Sequence, residues 1–210
     1  MKGNNQIKGM LKDALVLFII TLIAGLALGY VYEVTKTPIA NQKEKKKNEA
    51  CANVFCDAAS FETYKKFDTD EAKKVIEQAG FTEEDIDEVM YALDAEGNVL
   101  GYVFNVTTHE GYAGDITFSM GVRQDGTLNG ISILSISETA GLGMKADTEE
   151  FKEQWTNKKV DMFEYTKSGA TAENQIDAIS GATITTNAMT NGVNAGLAYF
   201  RSIEGGSQDE

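Results

Sequence analysis

The chain has 210 residues and a formal net charge of −13, with 19 Lys and Arg against 32 Asp and Glu. That balance argues against nucleic acid as a partner, because a phosphate-binding surface is basic, and the length fits one domain with an appendage. One histidine and two cysteines are too few for a multi-histidine metal site or a four-cysteine iron–sulfur cluster, so no metal site is expected.

The charge is uneven along the chain. Residues 1–32 hold Lys2, Lys8 and Lys12 against Asp13 alone, so the remainder carries a net charge of −15. Residues 1–13 form a short basic segment, and residues 14–32, ALVLFIITLIAGLALGYVY, contain no charged side chain. As a helix this stretch is about 28 Å long, close to the hydrocarbon thickness of a bilayer. Tyr30 and Tyr32 fall where aromatic rings favour the membrane interface. A cleaved signal peptide fits less well, since its apolar core is usually about 7–15 residues. No cysteine follows closely enough to mark a lipoprotein cleavage site. The stretch therefore reads as a transmembrane helix, with the lipid bilayer as a partner. Lys36, Lys43 and Lys45 to Lys47 follow it, so lysines flank both sides and charge alone leaves the orientation open.

Pro38, the only proline, is expected to close the anchor region, and the charged, Ala-rich stretch over 33–56 reads as a juxtamembrane helix. Residues 69–80 predict a second helix, with Thr69 or Asp70 as its cap and Gly80 as its stop. The pattern then changes to period two. EVMYALD, VLGYVFNVTTH, DITFSMGVR and LNGISILSIS alternate and are rich in β-branched and aromatic residues. DAEGN at 94–98 and QDGT at 124–127 supply the turns. A glycine-broken loop, ETAGLGMK, precedes a short helix near 147–155, and a last helix is expected from Thr186 to Ser202. Strands grouped together and then helices predict an α+β domain over 57–204, with a mainly antiparallel sheet and flanking helices. The tail 205–210, GGSQDE, is expected to be flexible, and there is no internal repeat.

Few residues carry chemistry on their own account. Cys51 and Cys56 would point about 140° apart on a helix and read as buried or idle thiols. His109 reads as an ordinary loop residue: a Ser-His-Asp hydrolase would need it to reach Ser180 across the fold. Trp155 reads as a packing aromatic. Two segments stand out. Gly111-Tyr112-Ala113-Gly114, with Glu138-Thr139-Ala140-Gly141-Leu142-Gly143, has glycines that allow close backbone approach to a flat ligand. DAISGATITTNAM, residues 177–189, crowds Ser180, Thr183, Thr185 and Thr186 at a helix start. Its hydroxyls fit an N-cap. They equally fit a phosphate ester, because a helix N-terminus favours an anion.

Asp177-x-x-Ser180-Gly181-Ala182-Thr183-Ile184-Thr185 resembles the flavinylation motif of FMN-binding domains, in which a flavin transferase esterifies the FMN phosphate onto the final threonine. GYAGDI and SETAGLG resemble that family's flavin-facing loops, commonly GYGG and ETPGLG, with Ala113 and Ala140 as departures. The resemblance covers nearly the whole chain, including the single N-terminal anchor. In size and order the chain is similar to the G subunits of Rnf ion-translocating electron transport complexes. It is also similar to the related, usually longer, C subunits of the sodium-pumping quinone reductase. The resemblance implies one covalent FMN per chain on Thr185, making this a phosphoprotein. Asp177, Ser180, Gly181, Ala182, Thr183 and Ile184 would form the presenting turn. Tyr112, Glu138, Thr139, Gly141, Leu142 and Gly143 would face the flavin. It implies an electron carrier without a catalytic residue of its own, in a cell-membrane complex coupling ferredoxin–NAD electron transfer to Na⁺ or H⁺ movement. Partners would be the other Rnf-type subunits and the transferase, with the domain on the extracytoplasmic side. A free-standing anchored flavoprotein serving an extracellular acceptor is the second expectation. A tethered binding module without redox work is the third.

Overall fold

The structure is a computed structural model that describes the backbone of residues 2–206 and the side chains of residues 9–204. The chain divides into two compact units, Met1–Lys45 and Lys46–Glu210.

One helix, α1 (Lys2–Val54), runs through Pro38. The expected break at Pro38 is therefore absent. Proline removes one backbone hydrogen bond from a helix interior, but the Ala-, Glu- and Lys-rich run that follows has high helix propensity and keeps the helix going. Its N-terminal half is long and apolar enough to cross a membrane, and none of that apolar window is buried. Leu15, Phe18, Ile23 and Leu26 are all exposed.

In the second unit the period-two segments form a meander: β1 (Ser60–Thr63), β2 (Glu84–Leu93), β3 (Val99–Thr108), β4 (Ile116–Arg123) and β5 (Leu128–Ser135) lie in that order, every pair antiparallel. The turn between β2 and β3 is tied by Asp94, whose carboxylate accepts from the N–H groups of Glu96 and Asn98. Between the first two strands lies α2 (Thr69–Gln78), capped by Asp68, which accepts from Glu71 N at 2.9 Å. The expected caps, Thr69 and Asp70, are already helical. After β5 come a 3₁₀ turn (Gly143–Asp147), α3 (Glu149–Glu153), the short parallel pair β6 (Glu164–Thr166) and β7 (Gln175–Asp177), and α4 (Thr183–Gly206). β1, β6 and β7 went unforeseen because three or four residues are too few to display a period.

Alternation sorts each strand's residues onto two faces. Tyr102, Phe104 and Val106 of β3, with Phe118, Met120 and Val122 of β4, join the main core beneath α2 and α4. Gly192 and Gly196 let α4 approach the sheet closely: a Cβ on Gly192 would stand 2.9 Å from Phe118, and one on Gly196 would collide with Met120 Sδ. On the opposite face Cys51, Val54 and Phe55 cover Met90, Ala92 and Val103. The helix ends at Val54, so Cys56 lies outside it and is exposed, whereas Cys51 is buried. Burial pushes the Cys51 thiol up to about 11, which keeps it protonated and inert at neutral pH.

α4 begins at Thr183 rather than Thr186, because the Ala182 carbonyl already accepts from Thr186 N at 3.0 Å. Two β-branched threonines and Ile184 have modest helix propensity, which hid this first turn. The helix also continues to Gly206, one residue past the start of the expected tail, and residues 207–210 of that tail lie outside the described residues.

Candidate functional site

Three segments far apart in sequence meet at one cavity of about 570 Å³. Tyr112 comes from the loop after β3. Glu138, Thr139, Leu142 and Gly143 come from the loop after β5. Gly181, Ala182, Thr183, Ile184 and Thr185 come from the start of α4. Of the residues expected at a site, Gly141, Asp177 and Ser180 do not line it. Asp177 and Ser180 face a smaller hollow of about 250 Å³ beside Lys145 and Gln154. Asp177 supports the approach to α4: its carboxylate accepts from Ala170 N at 2.6 Å, and its own N–H donates to Gln154 Oε1 at 2.6 Å. Gln154 carried no signal in the sequence, because the contact depends on α3 meeting β7.

The hydroxyls divide by partner. Thr186 Oγ1 accepts from Ile179 N and donates to the Ala182 carbonyl, both at 3.0 Å, so it staples the turn to the helix. Thr185 is 1% exposed, yet among the described residues its Oγ1 has no hydrogen-bond partner. Leaving a buried hydroxyl unpaired costs about 1–3 kcal/mol. Trp155 Nε1 is likewise unpaired among the described residues, but its ring is packed between Phe151 and Phe163, away from the cavity lining.

Glu138, 7% exposed, accepts on Oε1 from Tyr112 N at 2.7 Å and from Ala113 N at 3.4 Å, so one carboxylate joins the two loops. Gly143 sits against both polar groups. A Cβ there would stand 2.6 Å from Thr185 Oγ1 and 2.7 Å from Glu138 Oε2. The N–H groups of Thr183, Ile184 and Thr185 precede the first hydrogen bond of α4 and so have no acceptor within the helix. Tyr112, Leu142 and Ile184 add exposed apolar surface at the cavity mouth. An unpaired buried oxygen, a helix N-terminus and a cavity partly lined by apolar side chains fit a phosphate-bearing aromatic cofactor such as FMN, and the volume lies in the range of small-molecule sites.

Behind these loops His109 is held by two carboxylates, with Nδ1 at 2.9 Å from Asp115 and Nε2 at 2.9 Å from Asp85. Hydrogen bonding to Asp115 and then Asp85 raises its affinity for a proton above the ordinary imidazole value. Reading it as a simple loop residue missed this clamp, which is visible only once β2 and β3 are paired.

Residues 111–198 match the family model of the FMN-binding domain, and residues 1–54 match the RnfG N-terminal region. The fold and the cavity thus define a protein of the FMN-binding-domain class with an apolar N-terminal helix. The G subunit of the Na(+)-translocating ferredoxin:NAD(+) oxidoreductase complex of Acetobacterium woodii is 33% identical over 199 residues, covering 93% of this chain and 94% of the relative. The G subunit of the proton-translocating ferredoxin:NAD(+) oxidoreductase complex of Clostridium ljungdahlii is 30% identical over 205 residues, covering 98% and 97%. The chain belongs to the RnfG family, the G subunits of Rnf-type complexes. Its fold is similar to the crystal structure of NqrC from Shewanella oneidensis (TM-score 0.50, 20% identity, 59% of this chain and 61% of that one). The C subunit of the Na(+)-translocating NADH-quinone reductase of Parabacteroides distasonis is similar too (TM-score 0.50, 20% identity, 77% and 81%).

Proposed function

We propose that this chain is an electron-relay subunit of a membrane-bound ion-translocating oxidoreductase of the Rnf type, and that it carries one FMN joined through its phosphate to Thr185 Oγ1. The observation that carries the covalent site is the buried, unpartnered hydroxyl of Thr185 in the first turn of α4, inside the span that matches the FMN-binding domain. The relatives named as subunits of ferredoxin:NAD(+) oxidoreductase complexes support the relay role. When bound, FMN supplies one- and two-electron redox chemistry that amino-acid side chains lack.

The protein's own residues bind and orient. The N–H groups of Thr183, Ile184 and Thr185, which precede the first hydrogen bond of α4, would face the phosphate at the helix end, an arrangement that stabilises an anion by about 0.3–1 kcal/mol. That is too little to retain a cofactor, so the ester bond does so. Thr186, fixed by Ile179 and Ala182, holds the turn in place. Glu138 holds the Tyr112 loop against the cavity, and Leu142 and Ile184 would offer apolar surface to the flavin. The acidic domain lies outside the cytoplasm, a flavin transferase matures it, and the other subunits of the complex, coupled to Na⁺ or H⁺, supply its redox partners.

Thr185→Val keeps the shape and removes the oxygen. Co-expressed with a flavin transferase, the unmodified chain is expected to fluoresce in a denaturing gel and Thr185→Val is expected to be dark. Thr183→Val and Thr186→Val should each retain some flavin. Flavin mapped to Thr183 or Thr186 would defeat the assignment, and a dark wild type with a competent transferase would sink the covalent relay.

A further inference from the structure

Thr185 Oγ1 has less than 1 Å² of exposed surface and no hydrogen-bond partner among the described residues. An ester at that oxygen requires the hydroxyl proton to leave, and bulk water does not reach it. The proton therefore needs an acceptor inside the protein.

Of the described residues that line the cavity, Glu138 alone carries a carboxyl group, and none carries an imidazole, amine or guanidinium. His109, the only histidine, is held by Asp85 and Asp115 outside that lining. Lys145 lines the separate hollow beside Asp177.

Glu138 is fixed in a way that divides its two oxygens between two tasks. Oε1 accepts from Tyr112 N at 2.7 Å and from Ala113 N at 3.4 Å. Gly111 leaves room on that side, since a Cβ there would stand 3.1 Å from Oε1. Oε2 lies against Gly143 instead. A Cβ on Gly143 would stand 2.7 Å from Oε2 and 2.6 Å from Thr185 Oγ1. Carboxylate oxygen and hydroxyl thus flank one small space that a glycine keeps open.

We propose that Glu138 takes the Thr185 proton when FMN is attached, so that the chain supplies the base for its own flavinylation. The inference rests on the FMN reading above. FMN itself offers no good leaving group, so the donor is a flavin phosphoanhydride such as flavin adenine dinucleotide. Thr185 Oγ1 bonds to the phosphorus of the FMN half, and the anhydride P–O bond breaks. The nucleotide departs with that electron pair, while the hydroxyl proton passes to Glu138 Oε2. Nothing is oxidised or reduced. Protonation also removes the carboxylate's charge as the anionic diester forms beside it.

Holding Tyr112 needs only an acceptor oxygen, whereas taking a proton needs a base. Glutamine separates the two roles: its amide oxygen still accepts from Tyr112 N but is no base. The test incubates the full chain in detergent with a flavin transferase and flavin adenine dinucleotide, and follows covalent flavin over time by in-gel fluorescence. Glu138→Gln is expected to lower the maximal rate about 10²–10⁴-fold, the usual contribution of a positioned acid or base. The KM for the chain should be nearly unchanged, and the Tyr112 amide resonance of the flavin-free variant should keep its wild-type position. Equal rates in wild type and Glu138→Gln would place the acceptor outside this chain and overturn the proposal. A loss confined to KM would overturn it too, because that marks a binding role. Should Glu138→Gln misfold or its Tyr112 amide move, Glu138→Asp and Glu138→Asn, which share one length, decide the matter. The aspartate variant should be modified faster, and equal rates in that pair would overturn the proposal. A wild-type chain that took no flavin would defeat the covalent FMN reading and this inference together, whereas a flavinylated wild type matched by Glu138→Gln would defeat the inference alone.

Discussion

Thr185 and Thr186 are neighbours of one chemical type with opposite surroundings. Thr186 has its hydroxyl fully engaged, and that of Thr185 has no partner among the described residues. Gly143 makes that arrangement possible, because any larger residue would meet both Thr185 Oγ1 and Glu138 Oε2. Gly143→Ala is therefore expected to cost about 1–3 kcal/mol through overpacking and to abolish flavin attachment while the sheet survives. Circular dichroism and in-gel fluorescence separate the two effects, and full flavinylation of a folded Gly143→Ala chain would refute the tight packing described. His109 gives a second prediction at this scale. Its bonds to Asp115 and Asp85 raise its pKa above 6.5, so the stability it contributes is present below 6.5 and lost as the pH rises through the raised value. As the only histidine, it should show one resolved imidazole titration by NMR, with a midpoint above 6.5 that falls in Asp115→Asn. An unchanged midpoint in that variant would remove Asp115 as the cause.

At the scale of elements, the end of α1 is part of the domain that follows it. Phe55 is fully buried with Cys51 and Val54 against Met90, Ala92 and Val103, and the Arg123 guanidinium lies 5.7 Å from its ring centroid. Beside this apolar cluster runs a polar chain: Lys47 Nζ donates to both oxygens of Glu88 at 3.0 Å, Asn105 Nδ2 donates to Glu88, and Ser119 Oγ donates to Asn105. Asn129 Nδ2 adds a bond to the Val54 carbonyl at 2.9 Å. Phe55→Ala should lower stability by about 3–5 kcal/mol, the usual cost of truncating a buried phenylalanine, as read by urea unfolding of the chain in detergent. A loss below about 1 kcal/mol, typical of surface substitutions, would mean that this segment is not part of the cooperative unit. α4 plays the matching role on the other face. Gly192 and Gly196 seat it on Phe118 and Met120, which fixes where its first turn meets the loop after β5.

At the scale of the whole molecule, an uncharged apolar helical stretch precedes an acidic domain, and the two ask for different solvents. The chain should stay in the membrane pellet after an alkaline carbonate wash, and alkaline phosphatase fused after Glu210 should be active if the domain is extracytoplasmic. Release into the supernatant would contradict the anchor. An inactive fusion beside an active cytoplasmic reporter at the same site would contradict the orientation. The long apolar helix was legible in the sequence alone, because residues 14–32 hold no charge and a long apolar run has few stable environments. The four main strands and their turns were legible for a similar reason: alternation and turn residues are local properties, and β2 to β5 follow them. The segments that meet at the cavity were marked by their glycines and hydroxyls. What only the tertiary structure decided is which groups those segments meet. Thr186 is satisfied by Ile179 while Thr185 faces Gly143, His109 is clamped between Asp85 and Asp115, and α1 continues past Pro38 to end on the sheet. Each depends on contacts between elements distant in the chain, and neither local propensity nor periodicity carries information about a partner that only folding brings within hydrogen-bonding distance.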